Sequence, residues 1–175
     1  MAESRVQLRP LREEDLPDWV EWLNDPEVTT YTLLEAGSCT LEGERAWFAA
    51  VTAPDYRGRN WQLEVDGRHI GGCSLELSRD DRCASFGIII GHKPSWGKGH
   101  GTAALRETLR IGFEEMNLHR IDLDVFAGNT RGLRCYEKCG FRREGLHRAA
   151  QFKRGRWIDR ISMAILREEW EARRC

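Results

Sequence analysis

The sequence predicts one α/β (α+β) domain, in which about four helices flank a mostly antiparallel central sheet of six to seven strands. Two strand-like segments meet at the turn Asp66-Gly67-Arg68, which is typical of a hairpin. The β-branched run Phe86–Ile90 is followed by a glycine-rich turn and a helical segment. No repeat or linker separates a second domain within the 175 residues. We therefore expect antiparallel strands and then a β-α-β-α-β crossover in a single domain, residues 1–175.

The N-terminal part of the sequence predicts a strand and two helices. Apolar and polar residues first alternate with a period of two, and the apolar residues then recur at helical spacing. In order, these elements are a strand at Val6–Pro10, an amphipathic helix carrying Leu16, Trp19, Val20 and Leu23, an irregular stretch at 27–40, and a helix from Thr40 through Val51. The first helix ends at Asn24-Asp25-Pro26, a combination typical of a helix end.

The rest of the chain predicts six strands and two helices. In order, they are strands at Trp61–Val65, His69–Leu77 and Ala84–Ile90, a helix from Thr102 to about Met116, a strand at Arg120–Val125, a helix at Gly132–Lys138, and strands near 141–148 and 157–166. Gly155 fits a hairpin tip between the last two strands, since glycine enters tight turns without steric cost.

Composition bounds the class of protein. A hydrophobic fraction of 41% and a charged fraction of 31% are typical of a globular protein in water. The sequence contains no apolar run near the roughly 20 residues of a membrane span. Met1–Arg5 lacks the apolar core of a secretory signal, so we expect a cytoplasmic protein without a membrane partner.

Charge is unevenly distributed along the chain. The net charge of −1 gives no reason to expect a nucleic-acid partner. Residues 1–92 hold 9 Lys and Arg against 17 Asp and Glu, whereas residues 93–175 hold 18 against 11. Two interpretations stay open: a basic half that attracts an anionic cofactor and an acidic half that attracts a cationic substrate, or charges that solvate two faces of the domain.

The six cysteines agree with a reducing compartment. None forms a CxxC pair, and Cys135 and Cys139 lie four residues apart on a predicted helix without a matching histidine cluster. We therefore expect neither a disulfide framework nor a metal site.

The segment Trp96–Thr102 carries the main functional signal. A strand, a glycine-rich turn and a helix start leave backbone N–H groups converging on one point, where the helix dipole adds positive charge. A helix N-terminus gives an exposed anion only about 0.3–1 kcal/mol, whereas charge-assisted hydrogen bonds are worth roughly 1.5–3 kcal/mol each. Several amides, with Lys98 beside them, would therefore bind a phosphate or diphosphate. The alternative is an ordinary tight β-to-α connection.

Two other phosphate loops fit this turn badly. For a Walker A loop, Gly91 and Gly97-Lys98 are separated by five residues rather than four, and Gly99 stands where Ser or Thr would bind Mg²⁺. A Rossmann loop would follow the first strand, whereas this turn follows several strands.

Two motifs resemble those of the Gcn5-related N-acetyltransferases. Trp96-Gly97-Lys98-Gly99-His100-Gly101 is similar to the acyl-CoA loop Q/R-x-x-G-x-G/A, although Trp96 replaces the opening Gln or Arg. A second family pattern is matched by Asn129-Thr130-Arg131-Gly132, Tyr136 and Gly140-Phe141. The resemblance extends from Leu8 to Met163, and within the family it is strongest to RimJ/RimL-type ribosomal-protein and spermidine N-acetyltransferases. It implies a splayed cofactor cleft in the sheet and acetyl-CoA as co-substrate.

The resemblance implies a set of cofactor-binding residues. The fourth predicted strand, Ala84–Ile90, would pair its backbone with the pantetheine arm, and the glycine loop would bind the diphosphate. Residues at the start of the predicted helix Gly132–Lys138 and on it would complete the site. These residues are Ile88, Ile89, Ile90, Trp96, Gly97, Lys98, Gly99, His100, Gly101, Thr102, Asn129 and Arg134. For Asn129 the structural alternative is a helix N-cap, and for Arg134 it is a solvated helix charge.

The resemblance further implies transfer of an acetyl group to a primary amine, with Tyr136 as the general acid that protonates the CoA thiolate. Ser85 stands where many relatives carry a glutamate, so Glu76 on the preceding strand is our candidate general base. Strand alternation leaves open whether Glu76 faces the cleft or solvent.

The resemblance implies an acceptor that is a small-molecule amine or a protein N-terminus. We expect the irregular acidic segment to bind it through Glu35 and Tyr31, with Asp25 as a further candidate. Trp22 and Trp47 are core candidates before they are pocket residues. A polyamine or aminoglycoside acetyltransferase is one alternative, and a non-catalytic acyl-CoA sensor is another. Trp157–Met163 is expected to form the edge of a homodimer.

Overall fold

Seven strands form one sheet in the order β1-β2-β3-β4-β5-β7-β6 in a computed structural model that describes residues 6–80 and 82–173. The strands are β1 Gln7–Pro10, β2 Gly58–Val65, β3 Arg68–Leu77, β4 Cys83–Ile90, β5 Arg120–Phe126, β6 Arg142–Lys153 and β7 Arg156–Leu166. The predictions for Met1–Arg5 and Cys175 lie outside the described residues. All seven predicted strands are confirmed.

Five helices accompany the sheet in the described ranges: α1 Leu16–Asn24, α2 Leu41–Val51, α3 His100–Arg110, α4 Thr130–Cys139 and α5 Arg167–Ala172. The predicted helix from Thr102 to Met116 corresponds to α3 and the π-helical turn Ile111–Glu115 that continues it. Sequence reasoning missed α5, because six residues are too short for a periodic apolar pattern. No helix in these ranges is long and apolar enough to cross a membrane.

Both predicted hairpins form two-residue turns. Asp66 and Gly67 have φ of 51° and 75°, and Arg154 and Gly155 have φ of 49° and 77°. Positive φ at both central residues matches the right-handed twist of the adjoining strands. At the second turn, both strands are longer than predicted: β6 ends at Lys153 and β7 begins at Arg156.

The sheet divides between β4 and β5. These strands run parallel and pair only at Cys83–Ser85 with Arg120–Asp122, whereas every other neighbouring pair is antiparallel. Beyond Ser85, β4 continues for five residues without a partner on its β5 side. This geometry is the splayed cleft that the family resemblance implied.

Register decides which backbone groups of β4 face the cleft. Ser78 N donates to Cys83 O at 2.9 Å, and the β3–β4 register stays constant up to Gly71 and Ile90. Hydrogen-bonded pairs alternate in an antiparallel ladder, so Ile89 exchanges its hydrogen bonds with Gly72. Ile88 and Ile90 direct their backbone groups toward the cleft. The prediction that Ile89 pairs with a ligand through its backbone is therefore wrong.

The two faces of the sheet differ. One face packs against α3, α4 and α5 around fully buried side chains such as Leu75, Leu105 and Phe113. On the other face, α1 contributes Trp19 and Trp22. Helix α2 buries none of its side chains completely, and Trp47 remains 37% exposed. The main core therefore lies on the α3 face, and the α1–α2 face has room for a cavity.

The strand order contradicts the prediction that Trp157–Met163 forms the edge of a homodimer. Strand β7, which contains Trp157–Met163, pairs with β5 on one side and β6 on the other. The free edge at this end of the sheet belongs to β6, whose side chains are exposed from Arg142 to Ala149.

Candidate active site

The glycine loop between β4 and α3 leaves its amides open to the cleft. Gly97 and Gly99 have φ of 75° and 84°, a region that glycine enters without a Cβ clash. The first hydrogen bond of α3 runs from Ala103 N to Gly99 O at 3.0 Å. The amides of His100, Gly101 and Thr102 precede it, so they lack intrahelical acceptors and can bind an anion.

A basic groove adjoins this loop. It encloses about 1810 Å³ beside α3, and its lining includes Lys98, His100, Arg106 and Lys138. Lys98 is exposed, whereas the side chain of His100 is buried. The groove therefore complements an extended anionic ligand that begins at the loop. Arg134 is exposed on α4 and does not line this groove.

Trp96 uses its side chain to join the loop to β4 and α4. Its Nε1 donates to Ile90 O at 2.7 Å, and Arg131 Cζ lies 4.5 Å from the centre of its ring. The sequence did not indicate this role, because an indole does not resemble the glutamine or arginine it replaces.

Asn129 caps helix α4. Its Oδ1 accepts from Gly132 N at 2.9 Å, which confirms the N-cap interpretation. The amide group Nδ2 is not needed for the cap, so Asn129 retains a donor for a ligand.

Tyr136 lies on α4 against Phe86 of β4 and against Phe141, the residue before β6. Its ring centre is 6.4 Å from that of Phe86 and 6.0 Å from that of Phe141, and both pairs are inclined. Burial raises the pKa of Tyr136 well above its ordinary value, and the neighbouring Cys135 adds to this effect. The phenol is therefore protonated at neutral pH and can act as a proton donor.

A cavity of about 520 Å³ opens on the α1–α2 face and reaches β4 at Gly87–Ile89. It combines two carboxylates, three indoles and a polar floor. These residues are Glu35, Glu44, Trp19, Trp47, Trp61, Asn60, Gln62 and Ser74. Gly87 borders the cavity, whereas the side chain of the adjacent Phe86 contacts Tyr136. Successive side chains of a strand point to opposite faces, so the cavity and the tyrosine lie on opposite faces of the sheet at the same point of β4.

The floor of this cavity is held by a hydrogen-bond network. Trp19 Nε1 donates to Gln62 Oε1 at 2.9 Å, and His69 Nε2 lies 2.8 Å from the same oxygen. The other ring nitrogen of His69 lies 2.7 Å from Asp18 Oδ2. This network fixes the orientation of Gln62, which is 1% exposed.

The predicted acceptor residues are only partly brought together. Glu35 lines the cavity, whereas Tyr31 is 47% exposed and stands outside the lining. Asp25 is engaged by Lys93 Nζ at 2.7 Å, and this hydrogen bond lowers the pKa of the Asp25 carboxyl. Trp22 belongs to the core, while Trp47 is a cavity residue.

Glu76 is exposed on the same face of the sheet as Ser74. It lies two residues farther along β3 than Ser74, outside the cavity lining. Its charge helps raise the pKa of Tyr56, although burial of the phenol is the larger cause. Tyr56 Oη and Asn60 Nδ2 are buried without a hydrogen-bond partner among the described residues. These polar atoms lie between the cavity floor and Glu76.

Two residues of this region were missed from sequence. Glu44 looked like an ordinary acidic residue in the first turn of α2, but its Oε1 accepts from Cys39 Sγ at 3.1 Å within the cavity wall. Burial and this carboxylate raise the pKa of Cys39 to about 11. The sequence did not indicate that Lys153 is buried, because a lysine in a strand is normally exposed. In the structure this residue is only 2% exposed.

Comparisons with known proteins agree with this geometry. A family model described as an acetyltransferase (GNAT) domain matches residues 5–142. Spermidine N(1)-acetyltransferase of Escherichia coli (strain K12) is 31% identical over 169 residues, which cover 95% of this chain and 89% of the relative. An aminoglycoside N(6')-acetyltransferase type 1 of Klebsiella pneumoniae is 25% identical over 155 residues, which cover 82% and 77% of the two chains.

Solved structures give the same result. The spermidine N-acetyltransferase of Vibrio cholerae, crystallised with CoA and spermine, superposes with a TM-score of 0.87 at 28% identity and covers 96% of this chain and 99% of its own. The matched family model spans most of the chain, and it includes the glycine loop, the splayed strands and Tyr136. The chain therefore belongs to the GNAT family of acetyltransferases and is an acyltransferase.

Proposed function

We propose that the protein transfers the acetyl group of acetyl-CoA to a primary amine of a small polyamine. The observation that carries this proposal is the cavity of about 520 Å³, which combines Glu35 and Glu44 with indole walls and meets the splayed strand at Gly87–Ile89. Carboxylates and aromatic faces both attract ammonium groups. The similarity to spermidine N-acetyltransferases supports the same class of acceptor.

The co-substrate is acetyl-CoA, and the described residues fit it. The amides of His100–Thr102 bind the diphosphate, with Lys98 and the basic groove supplying positive charge. Ile88 offers its N–H and C=O along the splay to the pantetheine arm, and Ile90 offers its N–H, since its carbonyl oxygen accepts from Trp96. Asn129 donates from Nδ2. Arg134 contributes at most a solvated charge, because its side chain is exposed.

Tyr136 acts as the general acid. Its raised pKa keeps the phenol protonated at neutral pH, and a thiol has a pKa of about 8.5. Transfer of the phenolic proton to the leaving sulfur therefore avoids release of a free thiolate. The position of Tyr136 against Phe86, the first residue of β4 beyond its pairing with β5, supports this role.

Glu76 accepts the proton lost by the amine. A lysine-like amine has a pKa near 10.4, so its neutral form costs roughly 4–5 kcal/mol at pH 7. Glu76 is exposed outside the cavity, and the proton reaches it through water beside Asn60 and Tyr56. Tyr31 contributes only at the rim of the site.

A thiol-release assay with acetyl-CoA tests this function. Spermidine, spermine, a short diamine, an aminoglycoside and a peptide with a free N-terminus serve as acceptors. We expect the polyamines to have the highest kcat/KM, and Glu35→Gln to raise their KM about tenfold, which corresponds to about 1.4 kcal/mol. A preference for the aminoglycoside or the peptide would overturn the polyamine assignment, and silence with every amine would overturn the proposed activity.

We also propose a homodimer through the free edge of β6. The exposed rings of Phe152 and Trp157, whose centres are 5.3 Å apart, add apolar surface near this edge. Sedimentation equilibrium is expected to show a dimer for the natural chain, and Trp157→Glu is expected to weaken it. A monomer at all concentrations would contradict the proposal.

A further inference from the structure

A buried ammonium holds the segment that forms one wall of the acceptor cavity. Lys153, the last residue of β6, is 2% exposed. Its Nζ donates to Thr29 O at 2.8 Å, to Thr32 O at 2.6 Å and to Leu34 O at 2.5 Å. All three protons of the ammonium are therefore used, which is what burial of a charge requires.

The bonded segment, residues 29–35 (the rim segment), otherwise makes mostly local hydrogen bonds, with partners between residues 25 and 38. Its only regular structure is the end of the short 3₁₀ turn Val28–Tyr31. Tyr31, Leu33 and Leu34 are 47%, 61% and 47% exposed. Thr29 is buried, but burial of side chains does not fix the backbone from Tyr31 to Leu34, whereas three carbonyls converging on one cation can.

The neighbouring residue strengthens the same connection. Arg154 Nη2 donates to Pro26 O at 2.5 Å, so the β6–β7 hairpin tip contacts the chain on both sides of the short turn. Leu34 and Glu35 follow directly and line the cavity. Burial lowers the pKa of Lys153, and the charge of Glu35 partly offsets this effect, which places the carboxylate within electrostatic range of the ammonium.

We propose that Lys153 is a positioning residue for the acceptor: it fixes the rim segment so that Leu34 and Glu35 form the cavity wall that selects polyamines. This inference rests on the proposed function. Lys153 does not contact the cavity itself, and it acts through the three carbonyls. A compact ammonium suits these converging acceptors, whereas a planar guanidinium directs its donors in a fixed fork.

Steady-state kinetics with spermidine test the inference. Lys153→Met and Lys153→Arg are expected to raise the KM for spermidine at least tenfold and to leave the acetyl-CoA Kd within about twofold. Arg156→Met removes an exposed cation paired with Lys153 across the hairpin, and it is the matched control. A spermidine KM that stays within twofold in both Lys153 variants would overturn the inference.

A double-mutant cycle separates positioning from general destabilisation. If Lys153 acts by placing Glu35, then adding Lys153→Met to the Glu35→Gln variant raises the KM for spermidine by no more than about twofold. Full multiplication of the two effects, or a parallel loss of acetyl-CoA affinity, would contradict the inference. Should Lys153→Met not fold, Lys153→Gln retains two donors and enters the same cycle.

A natural chain that acetylates no amine would refute the proposed function and this inference together, whereas an active chain with unchanged KM in the variants refutes the inference alone.

Discussion

The indole of Trp96 donates a 2.7 Å hydrogen bond to the carbonyl oxygen of Ile90. This bond joins the glycine loop to the last residue of the splayed strand. Arg131, at the start of α4, lies over the same ring at 4.5 Å. One side chain thus connects the three elements around the proposed diphosphate site, in place of the glutamine or arginine that opens the loop in the family pattern.

Trp96→Phe is expected to raise the acetyl-CoA Kd several-fold. The change removes the hydrogen bond, worth about 1 kcal/mol, and keeps an aromatic face for Arg131. Trp96→Ala removes both interactions and should weaken binding further. Isothermal titration calorimetry of the two variants measures the difference. Equal affinities for the natural chain and Trp96→Ala would show that the loop needs no support from this side chain.

Tyr136→Phe is expected to lower kcat by about 100-fold, the range of general acid catalysis, with the acetyl-CoA Kd unchanged. Because burial raises the pKa of Tyr136, the phenol stays protonated to higher pH than a free tyrosine. The kcat of the natural enzyme should therefore show no alkaline decline from this group below the ordinary tyrosine pKa of about 10. A decline below that pH that vanishes in Tyr136→Phe would be the opposite result.

Two glycine substitutions should separate stability from cofactor binding. A Cβ at Gly91 would overlap the ring of Trp22, so Gly91→Ala should destabilise the fold by about 3 kcal/mol. A Cβ at Gly101 meets Ile90 Cδ1 at 3.5 Å, an ordinary contact. Gly101→Ala should therefore preserve Tm but raise the acetyl-CoA Kd about tenfold, because the new methyl group lies beside the amides. Thermal melts and calorimetry together check the pair, and loss of Tm in Gly101→Ala with intact binding would contradict this explanation.

Stability is expected to fall in acid through Asp15. Burial opposes the charge of this carboxyl, but hydrogen bonds from Arg9 and the Arg12 amide, with the charge of His69, lower its pKa below 3.8. A carboxyl whose pKa folding lowers stabilises the protein above its unfolded pKa and loses that contribution as pH falls through the folded value.

Asp15→Asn should consequently cost about 3 kcal/mol at pH 7, since Arg9 loses its nearly buried partner. The difference from the natural chain should narrow below about pH 4. Urea unfolding across this range measures it. A difference that stays constant with pH would place the origin of the loss in packing rather than in charge.

The sequence alone determined the elements and the cofactor loop. Strand alternation, helical spacing and the glycines at 97, 99 and 101 are local properties, so they predicted all seven strands and the start of α3. The same local reasoning identified Asn129 as an N-cap. Tyr136 came from a motif, and the structure placed it beside Phe86.

The tertiary structure decided what depends on distant pairings. The β3–β4 register directs the backbone N–H and C=O of Ile89 toward β3, and it leaves the backbone groups of Ile88 and Ile90 facing the cleft. The strand order moved the free edge from β7 to β6. Lys153 contacts carbonyls more than 100 residues earlier, and Glu44 faces a cavity that exists only once α2 lies over the sheet. Local spacing carries no information about such contacts, because they form when separate elements bury a shared surface.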